Sequence, residues 1–283
     1  MADEDSNPVM NIGIAISDGV FKRLAVDVYF SMVNNQAVLI QWAMDQAFTA
    51  PGPYTFTLQR GYAANDNTFE DIATTTDQPW AYDNRPVFPQ LGESVFYRVK
   101  LVDGDGDIYY SQAVDVSSYW TRYDWTLARE IVRKETMLLR KRTGSKGWLL
   151  KRRMFGDPCP DCVEPGTGKI LNANCPDCYG TGIVGGYYPA FEYWVSFNPN
   201  ARLSRLDPNV GLMVQIIETV RGLAYPVVET NDMWVMAHTN RRYLVMEDIA
   251  GIAKHRGIDL VLNLRLKEMP QSHPAYKVPT PCQ

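Results

Sequence analysis

The 283-residue sequence contains no run of about 18 apolar residues, so it offers no candidate for a membrane-crossing helix. Its start, MADEDSNP, has neither the basic region nor the apolar stretch of a secretory signal. A soluble protein made in the cytoplasm is expected. Histidine is scarce: His238, His255 and His273 are far apart, and none has a partner at metal-ligand or triad spacing. No G-x-S-x-G nucleophile motif accompanies them. Gly166-Thr-Gly168-Lys169 lacks the upstream glycine and following Ser or Thr of a phosphate loop. With no acid–base or nucleophile constellation, the expectation is a protein that is not an enzyme. Strong net charge is missing too, at −4, which argues against nucleic acid as the partner of the whole surface.

The chain is rich in what builds cores. Its hydrophobic fraction is 46%, far from the disordered regime, and its length suits two domains plus a small insert. Residues 22–118 read as short strands separated by turns, the pattern of an antiparallel sandwich. Gln36–Trp42, Tyr54–Arg60, Phe69–Ala73, Ser94–Leu101 and Ile108–Val114 are the expected strands. Asp103-Gly-Asp105-Gly-Asp107 joins the last two. Its alternate carboxylates begin like a calcium loop, but the twelfth position is Val114 and not Glu, so a hairpin turn is the better reading. The placement of Trp42, Tyr54 and Tyr97 resembles a fibronectin type III or immunoglobulin-like domain. That resemblance implies a spacer or surface module without a catalytic site.

Residues 119–153 change period. Trp120, Tyr123, Leu127, Ile131, Met137 and Leu138 fall near one helical face, and Thr143-Gly144-Ser145 ends the pattern. Between 129 and 153 there are ten Lys or Arg against Glu130 and Glu135, so this stretch is +8 within an otherwise acidic chain. A solvated helix face is the plain explanation of such a run. The loop reading of Gly144–Arg153 mixes bulky apolar groups with cations, which favours contact with an acidic subunit or with DNA through Arg140, Lys141, Arg142, Lys146, Lys151, Arg152 and Arg153.

Residues 189–269 read as a second β domain, with strands at Phe191–Phe197, Gly211–Glu218, Asp232–Ala237, Tyr243–Ile249 and Leu260–Leu266 and a turn at His238–Arg242. Residues 270–283 hold four prolines and read as an extended arm, as residues 1–21 do at the other end.

Four of the five cysteines fall within twenty residues, in Cys159-Pro-Asp-Cys162 and Cys175-Pro-Asp-Cys178. A CxxC turn brings two thiolates onto one arc, and two arcs complete the tetrahedral sulfur shell that Zn²⁺ prefers. Gly166, Gly168, Gly180 and Gly182 let backbone amides turn towards the sulfurs. Residues 154–188 are therefore expected to form a Cys₄ zinc-ribbon-like knuckle with a closed, structural Zn²⁺ site. Disulfides are the rival in an oxidising setting, where Cys282 becomes a candidate for an intersubunit disulfide. The CPDCYGTG half resembles the CxxCxGxG repeats of J-domain co-chaperones. With two motifs and no J domain, that resemblance implies metal binding and not chaperone activity.

The stretch from Trp120 through Tyr188, with TRYDWTLAREIVRKETMLLRKRTGSKGWLLKRR running into the paired CPDC turns and GTGIVGGYYP, is similar to a segment of tailed-bacteriophage structural proteins. Thr230–Val235, Arg242–Val245 and Asp259–Leu266 resemble the small β-barrels of head-closure and head–tail joining proteins. The resemblance implies a mainly β virion protein: an immunoglobulin-like sandwich, a basic linker helix, a Cys₄ knuckle and a barrel-like domain with an extended tail. It also implies a homo-oligomeric neck or collar ring, made in the host cytoplasm and carried in the virion. Its partners would be portal, adaptor or tail-completion proteins, possible contact with DNA being left open, and no membrane or small-molecule substrate would be involved. A baseplate or tail-associated position and a zinc-dependent nucleic-acid-binding role are the alternatives.

Overall fold

The computed structural model describes residues 20–30, 37–45, 48, 50–64, 69–84, 94–115, 121–153, 156–164, 167–172, 174–206, 214–246 and 251–281, without the side chains of 198–206 and 214–216. Trp120, Gly166, Cys282, the N-terminal arm up to residue 19 and the first residues of the expected strand at 211 lie outside these. The chain divides into two compact units, one of residues 1–29, 34–127 and 255–258, the other of 30–33, 128–254 and 259–283.

Among the described residues the first unit holds eight strands: β1 (Phe21–Tyr29), β2 (Ala37–Met44), β3 (Thr55–Gly61), β4 (Glu70–Thr76), β5 (Trp80–Asp83), β6 (Phe96–Val102), β7 (Ile108–Tyr110) and β8 (Val114–Asp115). β2 lies between β1 and β5 in one antiparallel layer. The other layer runs β4-β3-β6-β7, with β8 also on β6. The alternation expected at Ser94–Leu101 is present in β6, where Tyr97, Val99 and Leu101 point inward and Arg98 and Lys100 are half-buried. Their inner faces join Phe56 and Leu58 against Leu24, Val26, Val28, Val38, Ile40 and Trp42 in one apolar core. The Trp42 and Phe56 rings meet at 5.1 Å. Each such side chain contributes on the order of 1.5–3 kcal/mol on burial. β1 and β5 complete the sandwich and were not among the strands expected by pattern. The Asp-Gly loop is a hairpin turn: the Asp103 carboxylate accepts from the Asp105 and Asp107 amides at 3.1 and 2.8 Å.

A helix, α1 (Arg122–Leu138), begins with Thr121 and Asp124 capping each other. It continues into a wider π turn at Leu139–Thr143. Its buried stripe is Asp124, Ala128, Val132, Glu135 and Leu139, while Tyr123, Met137 and Leu138 are exposed. The apolar face expected from Tyr123, Met137 and Leu138 is thus corrected: small Ala128 and paired Glu135 occupy the inner side. Glu135 earns that place by its bidentate bond to Arg221.

In the second unit, β9 (Ser145–Leu150), β10 (Phe191–Leu206), β11 (Val214–Leu223), β15 (Ile258–Glu268), β13 (Arg242–Val245) and β12 (Met233–Met236) pair in that order, and β12 closes onto β9. They form a closed six-stranded antiparallel barrel, and β14 (Gly251–His255) pairs with β15 outside it. The segment Gly144–Arg153 is therefore a barrel strand and its end, where a loop was expected. Gly147 explains part of its sequence: any Cβ there would enter the Trp234 ring. Trp234, Phe197 and Tyr243 then stack at 5.6–5.9 Å. The tail stays out of the sheets, as its prolines require. Residues 270–281 fold back through a 3₁₀ turn, Pro274–Lys277, with Ala275, Val278 and Thr280 buried. The fully buried Arg242 guanidinium donates to the carbonyls of Ala275 and Val278. The described tail thus packs on its own unit.

Candidate metal centre

Between β9 and β10, two strands that pair directly, the chain makes a 40-residue excursion whose core is sulfur. Cys159, Cys162, Cys175 and Cys178 are all buried, with only half-buried Val163 packed on them. All four Sγ atoms lie within 4.8 Å of one another. Cys159 faces Cys175 at 3.6 Å and Cys162 faces Cys178 at 3.0 Å, and none is in a disulfide. A tetrahedral shell with metal–sulfur bonds of about 2.3 Å has sulfur–sulfur edges of about 3.8 Å, so the cluster fits one metal ion with small adjustments.

Local backbone chemistry explains the convergence. Each CPDC segment is a tight turn: Val163 N–H donates to Cys159 O at 3.0 Å, and Tyr179 N–H to Cys175 O at 3.0 Å. The two turns are stitched by Cys159 N–H to Gly182 O at 2.9 Å and by bridges Pro158 to Ile183 and Val163 to Ile170. Tyr179, Gly180 and Gly182 have φ of 52°, 81° and 85°, the left-handed region that lets the chain turn tightly after the second CPDC segment. The Asp161 amide acts on the Cys159 thiol, and the Cys178 and Asp177 amides act on that of Cys175. Those two amides pull the Cys175 thiol below its ordinary range. Burial pushes the Cys159 thiol up, and sharing with the Cys178 sulfur pushes Cys162 up further. Four sulfurs so packed cannot all be thiolates without a cation among them, which is the chemical demand a metal meets.

A second polar centre anchors the insert and was not anticipated. Lys151 is 1% exposed and donates to Asp232 at 3.0 Å, Glu229 at 2.8 Å and Val227 O at 3.0 Å. The Arg152 amide takes the other Asp232 oxygen, and the Arg152 guanidinium reaches Thr181 O inside the Cys module. Burial raises the Asp232 carboxyl against the pull of Lys151. The expectation that Lys151 meets an acidic partner or DNA is thus corrected: its buried ammonium is taken up by Asp232, Glu229 and the Val227 carbonyl just before β12, since a charge removed from water must be paired where it lies. The remaining members of that group divide. Arg153 stacks on Tyr188 at 4.8 Å. Arg140 and Lys146 share Glu192 at 3.3 and 3.0 Å. Lys141 and Arg142 are exposed on the π turn.

The histidines have local duties. His273 accepts from the Ala275 amide at the start of the 3₁₀ turn, burial lowering its pKa, and His255 lies 3.3 Å from Asp124. His238 lines a cavity of about 260 Å³ with Trp148, Met236 and Thr280. A larger cavity of about 580 Å³ lies between Arg152, Arg153 and Ile183 on one side and Val228 to Asp232 on the other. Among the described residues no helix is long and apolar enough to cross a membrane. The chain matches no protein-family model, no curated protein and no solved structure.

Proposed function

We propose that this chain is a non-catalytic structural protein of a tailed-bacteriophage virion, part of an oligomeric neck or collar ring, and that its four cysteines hold a structural Zn²⁺. The observation that carries the reading is the metal centre's position as a staple in the excursion that joins two paired strands of a closed barrel. Among the described residues of 156–180 the four cysteines alone are buried, so this part of the excursion gains order from a metal where an apolar core is lacking. A closed Cys₄ shell leaves no open coordination position for substrate, which suits a fastening and not a reaction. Two β modules with such a staple are the parts a ring-forming virion protein needs, and the sequence resemblance to phage neck proteins points the same way.

The test is to find the chain in purified particles by mass spectrometry and to locate its density by electron microscopy. A ring between portal and tail is the expected outcome. Density at the baseplate would support the tail-associated alternative, and absence from particles together with a monomer in solution would defeat the virion reading. Metal analysis with and without reductant is expected to give one zinc per chain, and a chain with neither zinc nor free thiols would assign the cluster to disulfides. The exposed cations on α1 and the π turn favour a second reading, DNA binding. Salt-dependent affinity for duplex DNA, lost on neutralising them, would support it.

A further inference from the structure

We propose that the outward face of α1 docks onto the tip of the β6–β7 hairpin of a second copy of this chain, a head-to-tail contact between unlike surfaces. The inference rests on the oligomeric reading above and names its interface. Opposite the buried stripe of α1 lie Arg133 and Lys134, 66% and 73% exposed, Met137 at 50%, and Lys141 on the π turn. Glu130 answers only part of this charge, lying 3.0 Å from Arg133 and 3.6 Å from Lys134. Exposed Met137 and Leu138 between cations form a small apolar centre with a basic rim, the anatomy of a protein interface more than of a phosphate-tracking surface.

The matching surface is on the sandwich. Residues 1–118 carry 16 acidic against 6 basic side chains, while 119–153 carry 11 basic against 3 acidic. At the hairpin tip Asp105 and Asp107 are exposed beside Ile108, 52% exposed, and Tyr110, 44% exposed. β7 ends its layer, pairing only with β6 among the described strands. Arg98 and Lys100 flank Tyr110 further along, so the acidic character belongs to the tip. An apolar centre with an acidic rim on one surface and one with a basic rim on another are complementary. Because they are different surfaces of one chain, the contact propagates from copy to copy, closing into a ring or extending.

Sedimentation analysis of the purified full chain tests this with two charge-reversed variants, Arg133→Glu/Lys134→Glu/Lys141→Glu and Asp105→Lys/Asp107→Lys. All five positions are exposed, and circular dichroism of each variant checks folding. Wild type is expected to self-associate, at least tenfold more weakly when NaCl is raised from about 50 to about 500 mM. Each variant alone is expected to be at least tenfold weaker, and an equimolar mixture of the two to regain association, since each then offers the charge the other lacks. A monomeric wild type, variants that associate as wild type does, or a mixture that stays dissociated would overturn the interface. Loss of DNA affinity in the helix variant with unchanged self-association would overturn it in favour of nucleic acid. These outcomes are independent of whether the chain is found in virions, so the interface and the virion reading fail separately.

Discussion

The sandwich and the cysteine insert are held together by opposite means. Among the described residues the sandwich packs sixteen buried side chains into one core and encloses an ionic cluster: Asp83, fully buried, accepts from Arg60 at 3.0 Å and from the Tyr97 hydroxyl at 2.9 Å. Burial and the Asp83 carboxylate hold the Tyr97 proton far above its ordinary range. Among the described residues of 156–180 in the insert, the buried side chains are the four cysteines, with half-buried Val163 packed on them. A segment with so little apolar surface cannot offset its conformational entropy by burial alone, whereas the sandwich can. The lesson is that one chain uses solvent exclusion where length permits a core and coordination where it does not.

The sharpest way to break this contrast is to remove the metal. Chelation, or Cys175→Ser with Cys178→Ser, is expected to release the ion and unfold residues 156–188, since structural zinc contributes on the order of 10–16 kcal/mol in small modules. Amide exchange should show protection lost in the insert and kept in β2, β3 and β6. An insert that stays protected without metal would make the sulfur cluster a dispensable ornament.

Next in size are the buried charges. Asp83→Ala takes the buried carboxylate from Arg60 and leaves it exposed Glu70 at 3.6 Å, and Asp232→Ala takes the buried carboxylate from Lys151 and leaves it Glu229 and the Val227 carbonyl. Losing one partner of a buried pair costs about 3–5 kcal/mol. Denaturant midpoints should fall for both, but only Asp232→Ala is expected to weaken metal retention, because the Asp232 to Arg152 to Thr181 chain leads into the insert. Equal metal retention in the two variants would show that the barrel does not brace the staple.

A smaller effect is expected at Gly182, whose φ of 85° strains any side chain and where a Cβ would press on Ile170 at 3.1 Å. Gly182→Ala should cost about 1–3 kcal/mol. Zinc affinity measured by competition with a chromophoric chelator should fall, while the melting of the isolated sandwich signal stays unchanged.

What could be read in the sequence follows the same contrast. The cysteines were legible because ligand spacing is local, and the strand alternation of β6 because one face is buried and the other is not. The barrel was expected from resemblance, while the residue pattern alone gave its strands without their order or closure. Its first strand, β9, precedes the insert and pairs with β10 beyond it, and the cations around it read as a binding loop. No local pattern tells that Lys151 will find Asp232 eighty-one residues away. The phase of α1 was misjudged for a related reason, since Ala128 and Glu135 are inside only by virtue of what faces them.

The smallest expected effect tests the start of α1, where a local signal and a buried carboxylate coincide. The Thr121 hydroxyl and amide, with Arg256, hold the Asp124 carboxyl below its ordinary value. Its contribution is therefore full above the unfolded value of about 3.9 and disappears as pH falls through the lower folded value. Asp124→Asn keeps the shape but cannot titrate, so the variant should lose stability at neutral pH and show a shallower decline between about pH 5 and pH 2. Urea midpoints across that range, followed through the helical signal, measure both. Parallel acid limbs for wild type and variant would mean that the cap orders the helix without its charge mattering, and would remove electrostatics from the account of why α1 begins where it does.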